Sequence, residues 1–165
     1  MSNQKSLKQK IIDYVFKTSN QPVLFKDLLL ANALYNEGML VDPSKLKFRL
    51  IIKNALIAYA LVCSVILIPL LAVTHAIFEH LDFHVSIIGT VFITSAVFIG
   101  FQYFLSWIRD EVTISLIKKA WEIHFPYFPY EKYSKKVEKI YNEAMKKEIH
   151  SRELQQYIMN KLTDQ

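Results

Sequence analysis

Charge is missing from two long stretches of this 165-residue chain: residues 55–78 and 85–108, 24 residues each, contain no Lys, Arg, Asp or Glu. Glycine is scarce, with three in all, which excludes a Gly-rich loop of the kind that cradles phosphates. Cys63 is the only cysteine. An internal disulfide is therefore excluded, and a lone thiol inside an apolar run reads as a small hydrophobe, not as a redox or metal group. Across the first 45 residues no apolar core precedes a cleavage site, so no signal peptide is expected and the first run serves as its own insertion signal. Also missing are a nucleophile elbow and carboxylates paired in an apolar setting. Nothing in the chain calls for an enzyme or a cofactor, and neither is expected.

What is there sets the solvent. At about 1.5 Å per residue, each 24-residue run makes a helix of roughly 36 Å, long enough to cross a hydrocarbon core of about 30 Å with some tilt. Only residues 79–84 separate the two runs. The expected fold is an all-α integral membrane protein, a two-span transmembrane helical hairpin with helical cytoplasmic N- and C-terminal arms. Residues 1–54 form a basic arm, 55–78 and 85–108 the two spans, 79–84 a short extracytoplasmic tip, and 109–165 an amphipathic arm. Charge sets the direction. Residues 1–54 carry nine Lys/Arg against four Asp/Glu, residues 109–165 eleven against nine, and the tip only Glu79 and Asp82. Cytoplasmic flanks are enriched in Lys and Arg, which places both termini in the cytoplasm. The Lys- and Ile-rich composition suggests a bacterial inner membrane.

The arms read as helices. Residues 5–18 repeat Leu7, Ile11, Tyr14 and Val15 at helical spacing, and Ser19–Pro22 breaks the pattern. A second helix over 24–36 ends near Gly38, which stands where a C-terminal cap belongs. Asp42-Pro43 is a helix-start signal, and a third helix is expected to run from there straight into the first span, kinked at Pro69. The second span continues to about His124. Pro126 and Pro129 then re-aim the chain, and one last helix covers about 131–162. No strand pattern competes with this reading.

Four groups of residues are candidates for function. His75, Glu79, His80, Asp82 and His84 crowd the tip, and these residue types ligate metals, but their spacing fits no metal motif; solvation of a tight connection explains them and no metal is assigned. Ala60 with Ser64, and Ala96 with Gly100, are small pairs four apart that let helices approach closely. Thr90, Thr94, Ser95 and Gln102 supply the second span with polar groups that an oligomeric pore would need. Finally Phe125, Tyr127, Phe128 and Tyr130 form an aromatic-proline elbow. With Tyr133, Val137, Ile140, Tyr141 and Ala144 on the following helix, they make a partner-binding surface, aromatic side chains being frequent anchors. The partners expected are the lipid bilayer and another membrane or membrane-associated protein, with a homo-oligomer possible. Nucleic acid is not expected, since neither N-terminal helix has the Arg, Asn or Gln content of a recognition helix. The function read from these features is a non-enzymatic accessory subunit or assembly factor of an inner-membrane complex. The alternative is a homo-oligomeric channel or small transporter component.

Overall fold

The computed structural model describes residues 6–78 and 83–163. Among them run α1 (Leu7–Val15), β1 (Phe16–Thr18), α2 (Phe25–Asn36), β2 (Phe48–Leu50), α3 (Ile52–Phe78), α4 (Phe83–His124), α5 (Tyr130–Lys146) and α6 (Leu154–Thr163). The chain is mostly helical, and two of its helices, α3 and α4, are long and apolar enough to cross a membrane. It divides into two compact units. One holds α1, α3 and α4 as far as Asp110; the other holds α2, the rest of α4, α5 and α6.

In the first unit, α3 and the apolar part of α4 bury almost nothing. Only 11% of the most apolar window of α3 is covered by protein, and 6% of that of α4. Val65, Ile68, Phe92 and Phe98 are among the side chains left bare. A core helix of a soluble domain buries one stripe at least. α3 continues through Pro69, which lacks the N–H for one helical bond. The N-terminal end of α3 is better covered: Ala55 and Ala58 are buried, as are Ile12 and Val15 of α1.

α4 changes character along its length. Up to Ile108 it is apolar all round. Beyond Arg109 the buried positions are Val112, Thr113, Ile117, Ala120 and Trp121, a stripe at helical spacing that makes this stretch amphipathic. In the second unit this stripe joins a core with Leu28, Leu29 and Ala31 of α2, Val137 and Ala144 of α5, Leu154, Ile158 and Leu162 of α6, and Leu46 and Phe125 from the connecting segments. Polar bonds fix α2 on α5: Asn32 Nδ2 donates to the Ser134 carbonyl (2.9 Å) and Asn36 Nδ2 to Glu138 Oε2 (2.9 Å). Asn32 is fully buried, and its Oδ1 has no partner among the described residues. α2 ends as expected on Gly38, at φ 71°. The Met39 N–H bonds Leu34 O and the Gly38 N–H bonds Tyr35 O, the double bond pattern of a Schellman cap.

Two expectations fail. The chain does contain strands, and no helix runs from Asp42-Pro43 into the span. Asp42 Oδ1 takes the Ser44 N–H at 2.9 Å, closing a turn in place of a helix cap. Lys47 then adopts φ 57°, which ends the turn and starts β2. β1 and β2 pair, flanked by Ser19 N–H to Lys47 O and Ile51 N–H to Val15 O; these bonds make the pairing antiparallel. α1 accordingly stops at Val15, short of residue 18, and α3 begins at Ile52. Phe48 favours a strand, and pairing with β1 outweighed the helix-start signal.

The single last helix over 131–162 is also two. α5 ends at Lys146 in a second Schellman cap, with Ile149 N–H on Ala144 O and Glu148 N–H on Met145 O. Here Glu148 holds φ 53° with a side chain where glycine is usual. α6 then folds back on α5. Glu143 joins the two helices, accepting from Lys147 Nζ (2.6 Å) and Tyr157 Oη (3.1 Å), with Lys161 Nζ at 3.8 Å.

A residue other than glycine in the left-handed region costs about 1–2 kcal/mol. Glu148→Gly should therefore stabilise the second unit by about 1 kcal/mol after its greater unfolded-state freedom is counted, seen as a raised thermal midpoint in detergent with unchanged helix content. The hydrogen bond from Lys147, then that from Tyr157, holds the Glu143 carboxyl below its ordinary 4.5. A group depressed in this way stabilises the fold above its unfolded value and stops doing so as pH falls through the folded one. The thermal midpoint should thus drop as pH falls below 4.5 in the natural chain, and Glu143→Gln should remove that part of the pH dependence.

Candidate functional site

The aromatic-proline elbow follows from the end of α4. Pro126 and Pro129 cannot continue the helix, and the chain turns with Phe128 N–H on Phe125 O (3.1 Å). Trp121 organises the turn from inside. Its indole Nε1–H donates to the Phe128 carbonyl at 2.6 Å. Its ring lies 4.4 Å from that of Phe125 and edge-on to Tyr130 at 5.1 Å. Phe25 of α2 packs on Phe125 (5.4 Å) and on His124 (5.5 Å), and His124 Nε2 lies 2.8 Å from the Val23 carbonyl. Outside this, Lys118 Nζ pairs with Glu131 (2.7 Å) and sits over the Tyr130 ring. That pairing lowers the Glu131 carboxyl below its usual range, the hydrogen bond from Lys118 being the main cause. Burial pushes the Tyr130 hydroxyl up to about 12, so it stays a neutral donor at any physiological pH. Lys118, Trp121, Glu122, Phe125, Pro126, Phe128, Pro129, Tyr130 and Glu131 line a half-open pocket of about 290 Å³.

The predicted partner-binding residues divide sharply. Phe125, Val137, Ile140, Tyr141 and Ala144 are buried in the core of the second unit, so other parts of the chain already cover them. Phe128, Tyr130 and Tyr133 are half-buried, and Tyr127 is 86% exposed. Two exposed apolar side chains that the sequence reading missed, Leu24 and Ile123, stand next to the Val23–His124 contact. Each follows the helical pattern of its segment, and periodicity alone does not tell a covered face from a bare one.

The small-residue pairs are also split. Ala60, Ser64 and Ala96 are exposed, and Ser64 Oγ donates back to the Ala60 carbonyl (2.8 Å). Gly100 alone sits at a close approach. A Cβ there would lie 2.5 Å from Tyr59 Oη. That hydroxyl donates to the Val97 carbonyl at 2.6 Å, and the Tyr59 ring packs on Phe101 and Phe104. Beside this contact an open groove of about 580 Å³ is lined by Leu56, Tyr59, Ala60, Cys63, Ser64, Leu67, Ile68, Val97, Phe98 and Phe101.

Glu79, His80 and Asp82 of the tip lie outside the described residues, as do the side chains of His75 and His84. Among the described residues no cluster of three His, Cys, Asp or Glu could hold a metal. No protein-family model, curated protein or solved structure matches this chain.

Tyr59 and Gly100 generate a test of their coupling. Tyr59→Phe should cost about 0.6 kcal/mol, the average for a hydrogen bond between membrane helices. Gly100→Ala should destabilise the natural chain by displacing the hydroxyl, yet be neutral or stabilising in the Tyr59→Phe background, where the better helix propensity of alanine (about 1 kcal/mol) acts unopposed. Unfolding of the four variants in detergent micelles, read as a double-mutant cycle, measures the coupling.

Proposed function

We propose that this chain is a non-enzymatic accessory subunit or assembly factor of an inner-membrane complex, anchored by a two-span hairpin and recruiting a partner through its cytoplasmic helices. The observation that carries the reading is the contrast between the two units. One leaves long apolar helices uncovered; the other has a closed core with bare apolar side chains at Leu24, Ile123 and Tyr127. Uncovered surface of the first kind suits lipid, and bare apolar side chains beside an aromatic elbow suit a protein. Tyr103 and Trp107, both exposed near the end of the second run, suit the headgroup layer on the cytoplasmic side. The Lys/Arg distribution supports the same direction, both termini inside.

The channel reading has weaker support. Thr94 Oγ1 donates to the Thr90 carbonyl at 2.8 Å, so its hydroxyl is satisfied without water. At 3.6 residues per turn, Thr90 and Thr94 fall about 100° away from Ser95 and Gln102, and the four do not make one polar stripe.

Leu24→Glu and Ile123→Glu alter exposed positions and should leave the second unit folded. The natural chain, purified in mild detergent from the membranes of its host, should carry a stoichiometric protein partner that both variants lose. A natural chain that purifies as a bare monomer contradicts the reading. Stable homo-multimers, unaffected by either variant, favour the channel.

A further inference from the structure

α1 has three faces. Ile12 and Val15 are buried within the first unit. A second, polar face carries half-buried Gln9 and exposed Asp13, with Gln9 Nε2 donating to Asp13 Oδ1 at 3.0 Å. The third face, at i, i+4 and i+7, holds Leu7, Ile11 and Tyr14; Leu7 is 76% and Tyr14 46% exposed, and Ile11 is half-buried. A nine-residue helix in water has no use for a second apolar face, because one face already packs on the chain.

The position of α1 says what could cover that face. Two bonds hold its end to the entry of α3: Ile51 N–H to the Val15 carbonyl (2.9 Å) and Asn54 Nδ2 to the Tyr14 carbonyl (2.7 Å). Lys53 is the last charged residue before the charge-free run begins at Ala55. α1 is therefore fixed, within one unit, at the level where α3 passes from charged to wholly apolar sequence. Lys10, Lys17 and Lys53 are exposed in the same unit. Apolar side chains beside lysines, at the mouth of an apolar helix, match the headgroup–acyl boundary of an anionic leaflet.

We infer that α1 is an in-plane membrane helix that seats Leu7, Ile11 and Tyr14 in the anionic leaflet that α3 enters. The inference rests on the reading of α3 as a span, and the test separates the two. In the full chain carrying Cys63→Ala, single cysteines are introduced by Leu7→Cys, Tyr14→Cys, Asp13→Cys and Val65→Cys. Each is labelled with an environment-sensitive fluorophore, and the protein is reconstituted in phosphatidylcholine–phosphatidylglycerol nanodiscs with or without a lipid-borne quencher. The labels at Leu7 and Tyr14 should be blue-shifted and lose emission to the quencher, the label at Asp13 should do neither, and Val65 should be quenched most. Quenching at Leu7 and Tyr14 should fall in pure phosphatidylcholine while that at Val65 holds. Quenching at Val65 with Leu7 and Tyr14 as wet as Asp13 overturns the inference and leaves the span reading standing. Labels at Leu7 and Tyr14 that are blue-shifted but unquenched also overturn it, because protein and not lipid then covers the face. No quenching at Val65 removes the span reading itself. Equal quenching in both lipid mixtures removes the role given to the lysines.

Discussion

Apolar surface with nothing to cover it is the constraint on which this molecule turns. α3 and the first part of α4 carry no Lys, Arg, Asp or Glu across two runs of 24 residues, and the chain folds almost none of its own residues over them. At about 25 cal/mol per Å², the surface of Val65, Ile68, Phe92 and Phe98 alone is a large penalty in water. The rest of the chain is arranged around that fact. α4 changes from apolar all round to one buried stripe past Arg109, and beyond it the second unit closes a core of its own. Tyr59 over Gly100 brings α3 and α4 close and joins them by a hydrogen bond and aromatic packing, while the small residues Ala60, Ser64 and Ala96 stay bare.

Sequence patterns revealed the parts that obey one local rule. The two runs, the end of α4 at His124, the break at Pro126 and Pro129, and the Gly38 cap were all legible, because length, proline and glycine act locally. The misses share a cause. Lys47 and Glu148 both adopt positive φ without being glycine, and nothing in their side chains announces it. One starts β2 where a helix was expected, the other divides the last helix. Tertiary pairing decided each case: β2 against β1, and α6 against α5 through Glu143. The candidate surface is split for a related reason. Periodicity found the apolar stripe of α5 at Val137, Ile140, Tyr141 and Ala144, yet could not say that α2 and α6 would bury it, nor that Leu24 and Ile123 would stay bare.

These outcomes narrow the surface on which the proposed reading rests. Of the elbow's four aromatic side chains, Phe125 is committed to the core around Trp121, Phe128 and Tyr130 are half-buried, and Tyr127 is bare. The bond from the Trp121 indole to the Phe128 carbonyl and the Lys118–Glu131 pair tie the elbow to α4, which in the proposed reading leaves less ordering to do on binding. The same logic applies to the inference on α1, whose end is tied to the entry of α3 by two hydrogen bonds.

The central claim is that the two apolar helices cross a bilayer and return the chain to the side from which it started. In a Cys63→Ala background, Asp82→Cys places a thiol between the two runs and Ser151→Cys places one after α5. A membrane-impermeant maleimide applied to intact cells should label the first and reach the second only after lysis. Equal access to both positions in intact cells, or release of the chain from membranes by alkaline washing, would contradict the account.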